Sequence, residues 1–434
     1  MTSPMIYCAG PYATPEDRWQ LDELETTLRS RGFKTYLPFR DGLDSLYQDL
    51  SFPDERIRAD LARSLFSINV FRLLEKCEAV IFSMNGRVPD AGGIVVSAVA
   101  AVSGIPVVIY KQDYRSTFHG HDNAMITGLS RTFSTTTSLK GVAGAVKREI
   151  SLCKGSRIRQ LPTVLEETIS LGRMLDEMLD GFAPPSSADA TALLKKVQAV
   201  FNNFTEQQSM RVGTVESRGL VYCSGPLFCP GEVEVMDEIA RSLESSGWKT
   251  YLPHRDGVES FVMKNTDNYM ANLFQPLVRF FHRLTFAVDL YYLLKCGCLV
   301  FNMNGRVPDE GGVAEIGMAF AAGKPVFLYR ESTAGTGMDF IDPMIAAIGV
   351  QARPVASIEQ IPGQLMRIDP ARYRADDLTE KDLPLLPPHM QRLVRLGRKA
   401  NQIMNRLAFI KPQSLFSVKA PVSTGVATGA GKDR

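Results

Sequence analysis

What this chain lacks narrows the field first. Its Lys and Arg are dispersed rather than clustered, and over 434 residues the formal charge is only +2. A nucleic-acid groove needs a continuous positive face, so it has little compositional support, and a small or neutral partner fits better. No zinc-ligand spacing occurs among the 7 cysteines. Most lie inside apolar, strand-like runs (Cys8, Cys77, Cys223, Cys296), as reduced core thiols of a cytosolic protein would. Cys296 and Cys298 alternate onto one strand face, which suits packing better than metal binding. A strand pattern begins by Met5, leaving no room for a charged segment followed by an apolar one, so no secretory signal is expected. The most apolar stretch, Gly92 to Tyr110, is broken by Gly104 and Pro106. It reads as a buried helix followed by a buried strand, not as a membrane span.

What is present is a sequence that runs through much the same text twice. MIYCAGP (Met5 to Pro11) answers LVYCSGP (Leu220 to Pro226), and GFKTYLPFRDG (Gly32 to Gly42) answers GWKTYLPHRDG (Gly247 to Gly257). NGRVPD occurs at Asn85 to Asp90 and again at Asn304 to Asp309, GIPVVIY answers GKPVFLY, and NAMI at Asn123 answers DPMI at Asp342. Counting offsets puts four extra residues in the second copy between Gly257 and Lys295. The copies differ at one chemically decisive place: after NGRVPD, the second has the carboxylate Glu315 where the first has Val96.

Each copy alternates strand and helix signals, which predicts an α/β fold of two tandem, flavodoxin-like, doubly wound parallel-sheet domains, each followed by a C-terminal helix. The expected divisions are a first domain at 1–182, a linker with a helix at 183–218, a second domain at 219–410 and a disordered tail at 411–434. APPSSADA, Ala183 to Ala190, is the expected flexible linker, with a helix near Thr191 to Phe204. In such folds ligands sit beyond the carboxyl ends of the strands. The turn GPLF at Gly225 and the loop NGRVPDEG both fall at that edge.

A helix opening with Gly311 and Gly312 places Glu315 in its first turn, where unpaired amides and the helix dipole favour an ionised side chain. Asp309 lies six residues earlier, and the two acids can face one cavity. Such a pair suits glycosyl chemistry, one carboxylate attacking an anomeric carbon while another acid protonates the leaving group. Plainer roles are open: Asp309 as a helix cap, Glu315 as a dipole partner, Glu310 as a solvated acid, Gly225 and Gly10 as turn residues.

From about Leu220 to Val350 the second copy resembles the nucleoside 2-deoxyribosyltransferases, through YCSGPLF and DEGGVAEIGMAFAAGKPV. The resemblance implies Glu315 as nucleophile, Asp309 and Asp289 as the accompanying acids, and Tyr222 as a hydrogen-bond donor to the nucleophile. Asp289 lies 26 residues before Glu315. It implies that Phe228 covers the base and that no metal or organic cofactor is required. The partners implied are 2'-deoxynucleosides and free nucleobases, with no nucleic acid and no membrane.

In that family an asparagine in an N-x-M context, from the neighbouring subunit, binds the sugar 5'-hydroxyl. Here Asn123 and Met125 stand in the first copy, against Asp342 and Met344 in the second. With Val96 for the nucleophile and Val70 read opposite Asp289, the first copy is expected to be catalytically dead yet to lend Asn123 to the second. The chain is therefore expected to be a cytoplasmic, intramolecular pseudo-dimer with one working site, further self-association being left open. Two rivals are a deoxynucleoside or deoxynucleotide N-glycosidase and a nucleoside-binding pseudoenzyme.

Overall fold

The computed structural model describes residues 3–45, 55–86, 88–115, 122–179, 187–207, 219–259, 275–305, 307–331, 341–350, 353–367 and 378–409. The expected disordered tail lies outside these residues. In the first domain β1 (Met5–Ala9), β2 (Lys34–Tyr36), β3 (Ala79–Ser83), β4 (Val107–Tyr110) and β5 (Thr135–Thr136) form one parallel sheet in the order β2-β1-β3-β4-β5. In the second, β6 (Leu220–Ser224), β7 (Lys249–Tyr251), β8 (Cys298–Asn302) and β9 (Val326–Tyr329) repeat it as β7-β6-β8-β9. Single parallel bridges, Val326 to Gly349 and Tyr329 to Val355, continue the second sheet past β9. Both sheets are the flavodoxin-like arrangement that the strand and helix alternation predicts. Their central strands are buried along their length, as strands covered by helices on both faces must be.

The domains meet through two mainly apolar helices, Ala91–Ser103 and Glu310–Ala321, which pack on each other. Small residues let them approach closely. A Cβ added at Gly317 would come within 2.7 Å of the Ala98 Cβ and 3.1 Å of the Val95 carbonyl oxygen. Around this contact the domains exchange short helices in pseudo-symmetric fashion. Ala124–Thr127 of the first packs on Glu310–Ala321 and Gln275–Lys295, while Pro343–Ile348 of the second packs on Glu55–Phe71 and Ala91–Ser103. Gly128 lies flat against the Phe286 ring, with space for a Cβ only 2.1 Å from it.

Two sequence readings need correction. Residues 187–190 of the expected flexible run belong to the helix Ser187–Gln207, which packs on Glu55–Phe71 and Thr163–Leu179. The counterpart of Asp289 is Asn69, not Val70. Gly172 presses on the Ser67 carbonyl and Phe71, and its repeat Gly397 presses on the Ala287 carbonyl and Tyr291, which fixes the pairing one residue away from the simple count. The reason is a π-helical turn at Arg72–Lys76, which absorbs one extra residue in the first copy. Among the described residues no helix is long and apolar enough to cross a membrane.

The tight crossing yields a test. Gly317→Val forces side-chain carbon into the Ala98 and Val95 contact and should destabilise the protein by about 1–3 kcal/mol, as overpacking does. Thermal unfolding should show a lowered midpoint, while Gly363→Ala, at a position open on all sides, should leave it nearly unchanged.

Candidate active site

Tyr222 and Ser224 alternate on β6, so period two turns both side chains to one face. That face meets Glu315. The Tyr222 hydroxyl donates to Glu315 Oε1 at 2.7 Å, and the Ser224 hydroxyl donates to Oε2 at 2.5 Å. The glutamate is only 5 % exposed. Burial pushes its pKa well above the usual carboxylate range, the charge of Asp289 adds to that, and the Ser224 and Tyr222 hydrogen bonds pull it back.

The helix start plays a different part from the one expected. The helix begins at Glu310, so Glu315 stands in its second turn, not its first. Asp309 is the N-cap: its Oδ2 accepts from the Gly312 amide at 2.6 Å. An amide at the helix start is thus spent on the cap, and the described donors to Glu315 are the two hydroxyls. Burial pushes Asp309 up to about 7 against that amide bond. Asp90 caps the first domain's helix in the same way, at 2.6 Å from the Gly93 amide, and is likewise pushed to about 7. A cap needs no nucleophile beside it.

Gly311, Gly312 and Gly225 are places of close approach. At Gly312 a Cβ would lie 2.4 Å from the Phe301 ring and 2.9 Å from Ser224 Oγ, so any side chain would displace a donor to Glu315. At Gly225 it would lie 2.7 Å from Asn302 Cβ and 2.8 Å from Met236 Sδ. At Gly311 it would meet Asn123 Nδ2 at 2.9 Å and Asp309 Oδ2 at 3.3 Å.

That last contact joins the domains at the site. Asn123 is the N-cap of its short helix, its Oδ1 accepting from the Met125 amide at 2.8 Å, with Met125 buried behind it. The cap turns Nδ2 toward the start of the helix that bears Glu315. Asp342 and Met344 form the same cap in the second domain, also at 2.8 Å, and Met344 lies against Gly92 of the first.

Asp289 is buried at 1 % exposure on the helix Gln275–Lys295 and accepts from the Tyr251 hydroxyl at 2.9 Å. Burial and the neighbouring Glu259 raise its pKa well above normal. Phe228 stands apart from these acids. It is 55 % exposed and lines a cavity of about 420 Å³ between the domains, with Val307 and Asp309 from the second and Val88, Lys111 and Asp122 from the first. Lys111 is paired with Asp122. Among the described residues no group of three or more His, Cys, Asp or Glu is placed to hold a metal ion.

At the first domain's own centre, around Val96, the cavity is small, about 40 Å³, with Tyr12, Asp44, Asn69, Asp90 and Asp342 among its other walls. It has room for water rather than a nucleobase.

Sequence reasoning missed Ser224 and Glu259. A signal for Ser224 existed: Ala9 replaces it in the copy where Val96 replaces Glu315, so hydroxyl and acid are absent together. Glu259 carried no such contrast, since Asp44 faces it across the repeat.

Removing a donor from an ionised carboxylate raises its pKa. A hydrogen bond to a charged group is worth about 1.5–3 kcal/mol, or about one to two pH units. Ser224→Ala should therefore move the acid limb of any Glu315-dependent pH–rate profile to higher pH by that amount, measured on the purified variant beside the wild type.

Comparison with known proteins places the family. A solved structure described as "Crystal structure of LpCGTa in complex with UDP" aligns at 13 % identity over 94 % of this chain and 99 % of that one, but with a TM-score of 0.20. That score carries no inference about fold or function. A search of curated proteins gives no match. The family profile for nucleoside 2-deoxyribosyltransferase matches twice, at residues 6–130 and 221–346. These two segments span more than half the chain, one on each sheet, so the protein belongs to the nucleoside 2-deoxyribosyltransferase family as a tandem duplication.

Proposed function

We propose that this chain exchanges the base of 2'-deoxynucleosides through a covalent deoxyribosyl-glutamate intermediate. One composite site serves each chain: the second domain (219–410) carries the chemistry and the first (1–182) supplies part of the wall. The observation that carries the reading is the buried Glu315 with a hydroxyl donor on each oxygen, Tyr222 on one and Ser224 on the other.

A carboxylate held this way is fixed in orientation while one lone pair on each oxygen is used, leaving others free to attack. In the first step a Glu315 oxygen bonds to C1' and the C1'–N bond breaks, its electron pair leaving with the base. Asp289, kept protonated by burial beside another acid, gives its proton to a ring nitrogen of that base. Such a positioned acid contributes on the order of 100- to 10,000-fold. In the second step a different base displaces Glu315 and returns a proton to Asp289, so two inversions give net retention. A 2'-deoxy sugar lacks the electron-withdrawing hydroxyl that opposes positive charge at C1', which favours deoxyribosides.

Asn123 is the first domain's contribution, its amide standing over Gly311, where it binds the sugar 5'-hydroxyl. Phe228 closes over the base from the mouth. No cofactor enters the scheme. If water takes the place of the second base the same intermediate gives hydrolysis, so transfer and hydrolysis differ only in the acceptor.

The test is incubation of the purified protein with a 2'-deoxynucleoside and a second free base, following products by chromatography and protein mass by spectrometry. A new deoxynucleoside and a deoxyribosyl adduct are expected, both lost in Glu315→Ala. Free base without exchange would replace transferase by N-glycosidase, and binding without turnover would overturn the enzymatic reading. Asn123→Ala removes one hydrogen bond to substrate, worth about 0.5–1.5 kcal/mol, so kcat/KM should fall about 2- to 13-fold, with the adduct still formed.

A further inference from the structure

Asp289 and Glu259 are both acids, and they lie close enough inside the second domain for each to shift the ionisation of the other. Each has one buried oxygen, Asp289 Oδ2 and Glu259 Oε2, for which the described residues offer no N–H or O–H donor. Two carboxylates cannot hydrogen-bond without a proton between them, and two bare charges in contact repel. One proton must therefore sit on the pair.

The repeat supplies an internal control. Asp44 of the first domain corresponds to Glu259, and the backbone around the two is alike. A Cβ at Gly42 would meet Tyr36 Oη, the Pro38 carbonyl and Asp44 Oδ2, and a Cβ at Gly257 would meet Tyr251 Oη, the Pro253 carbonyl and Glu259 Oε2. Asn69 stands in the place of Asp289: Tyr36 donates to Asn69 Oδ1 at 3.0 Å as Tyr251 donates to Asp289 Oδ1 at 2.9 Å. In the first domain the remaining contact is an ordinary hydrogen bond, Asn69 Nδ2 to Asp44 Oδ2 at 3.1 Å. An amide hydrogen, which cannot be given away, thus occupies the position where the second domain has two acids.

We propose that Glu259, the acid beside Asp289, shares one proton with it and thereby keeps Asp289 a transferable-proton donor toward the departing base. This rests on the deoxyribosyl-transfer reading and adds a residue to it. As the C1'–N bond breaks the shared proton leaves with the base, both acids are briefly ionised, and the N–H of the incoming base refills the pair as it attacks C1'. Glu259 acts through Asp289 and touches no substrate atom.

The surroundings are consistent with one proton. Burial holds Glu259 up at about 7 and Asp289 well above the usual carboxylate range; the charge of Glu259 opposes ionisation of Asp289, while the contact with Asp289 favours ionisation of Glu259. The titratable groups facing them are Tyr251 and Tyr222 from the strands, Tyr292 on the same helix as Asp289, and Glu315 on the helix Glu310–Ala321. The tyrosines, all raised above their usual value, stay neutral. Among these described groups Glu315 adds charge, and it adds it against ionisation of Glu259.

The experiment compares wild type, Glu259→Gln and Glu259→Asp on two donors: a natural 2'-deoxynucleoside, and a 2-deoxyribosyl 4-nitrophenyl donor whose leaving group departs as a stable anion. Glu259→Gln sets an amide against a carboxylate, as the first domain does with the two positions exchanged. With the nucleoside its rate should fall about 100-fold, the low end for a lost general acid, and the alkaline limb of the pH profile should vanish. With the nitrophenyl donor the loss should shrink to less than about tenfold. Glu259→Asp, which restores a carboxyl, should recover the alkaline limb. Equal losses on both donors, or an unaltered alkaline limb in Glu259→Gln, would overturn the shared proton. Failure of wild type to form an adduct from either donor would instead overturn the transferase reading.

Discussion

Everything at the site depends on how closely the helices Ala91–Ser103 and Glu310–Ala321 can cross. Gly317 sits against Ala98 with no space for even a methyl group. Such an approach sets Asn123 of one domain over Gly311 of the other, and Met344 over Gly92 in return. Were either helix lined with larger side chains, the domains would stand apart and Asn123 would end short of the Glu315 helix. The small residues that make this segment look like a membrane span in sequence are what make a two-domain site possible.

The second constraint is the cost of burying charge. Glu315, Asp289 and Glu259 lie in one low-dielectric region, and each opposes ionisation of another. An isolated buried carboxylate costs several kcal/mol even after relaxation, so three ionised together would not persist. The arrangement resolves this unevenly. Glu315 receives two hydroxyl donors, whereas Asp289 receives one and Glu259 shares with it. Donors to the carboxylate favour its charged form and acid neighbours favour the neutral one. One group is thus biased toward nucleophile and the other toward proton donor, the separation of roles that glycosyl transfer needs.

Much of this was legible in the sequence because the repeat carries its own comparison. The contrast of Glu315 with Val96 marked the acid that the structure buries between Tyr222 and Ser224, and strand and helix alternation gave both sheets, since period and Gly-rich turns are local signals. Asn123 opposite Asp342 marked the exchange between domains. What was not legible depended on through-space registration. Val70 was set opposite Asp289 because a one-residue π-helical turn leaves no mark in a gapless count. Glu315 was placed in the first turn because the cap position, Asp309, is settled by a backbone bond to Gly312. Glu259 was invisible because its meaning comes entirely from Asp289, on a helix distant in sequence.

The differences between the copies form a consistent set. Without Glu315 a hydroxyl aimed at it has nothing to hold, and the first domain has Ala9 where the second has Ser224. Without a base to protonate a shared proton has no use, and Asn69 supplies a permanent donor to Asp44 instead. The face of the first domain that meets the second is built differently. Asn123 keeps its amide over Gly311, and Gly128 keeps the Phe286 ring seated one helical turn before Asp289. The first domain therefore lacks the acid at its own centre and still reaches the helix that carries it in its neighbour, a division that a covalently joined pair permits and that two identical subunits, bound to one sequence, do not.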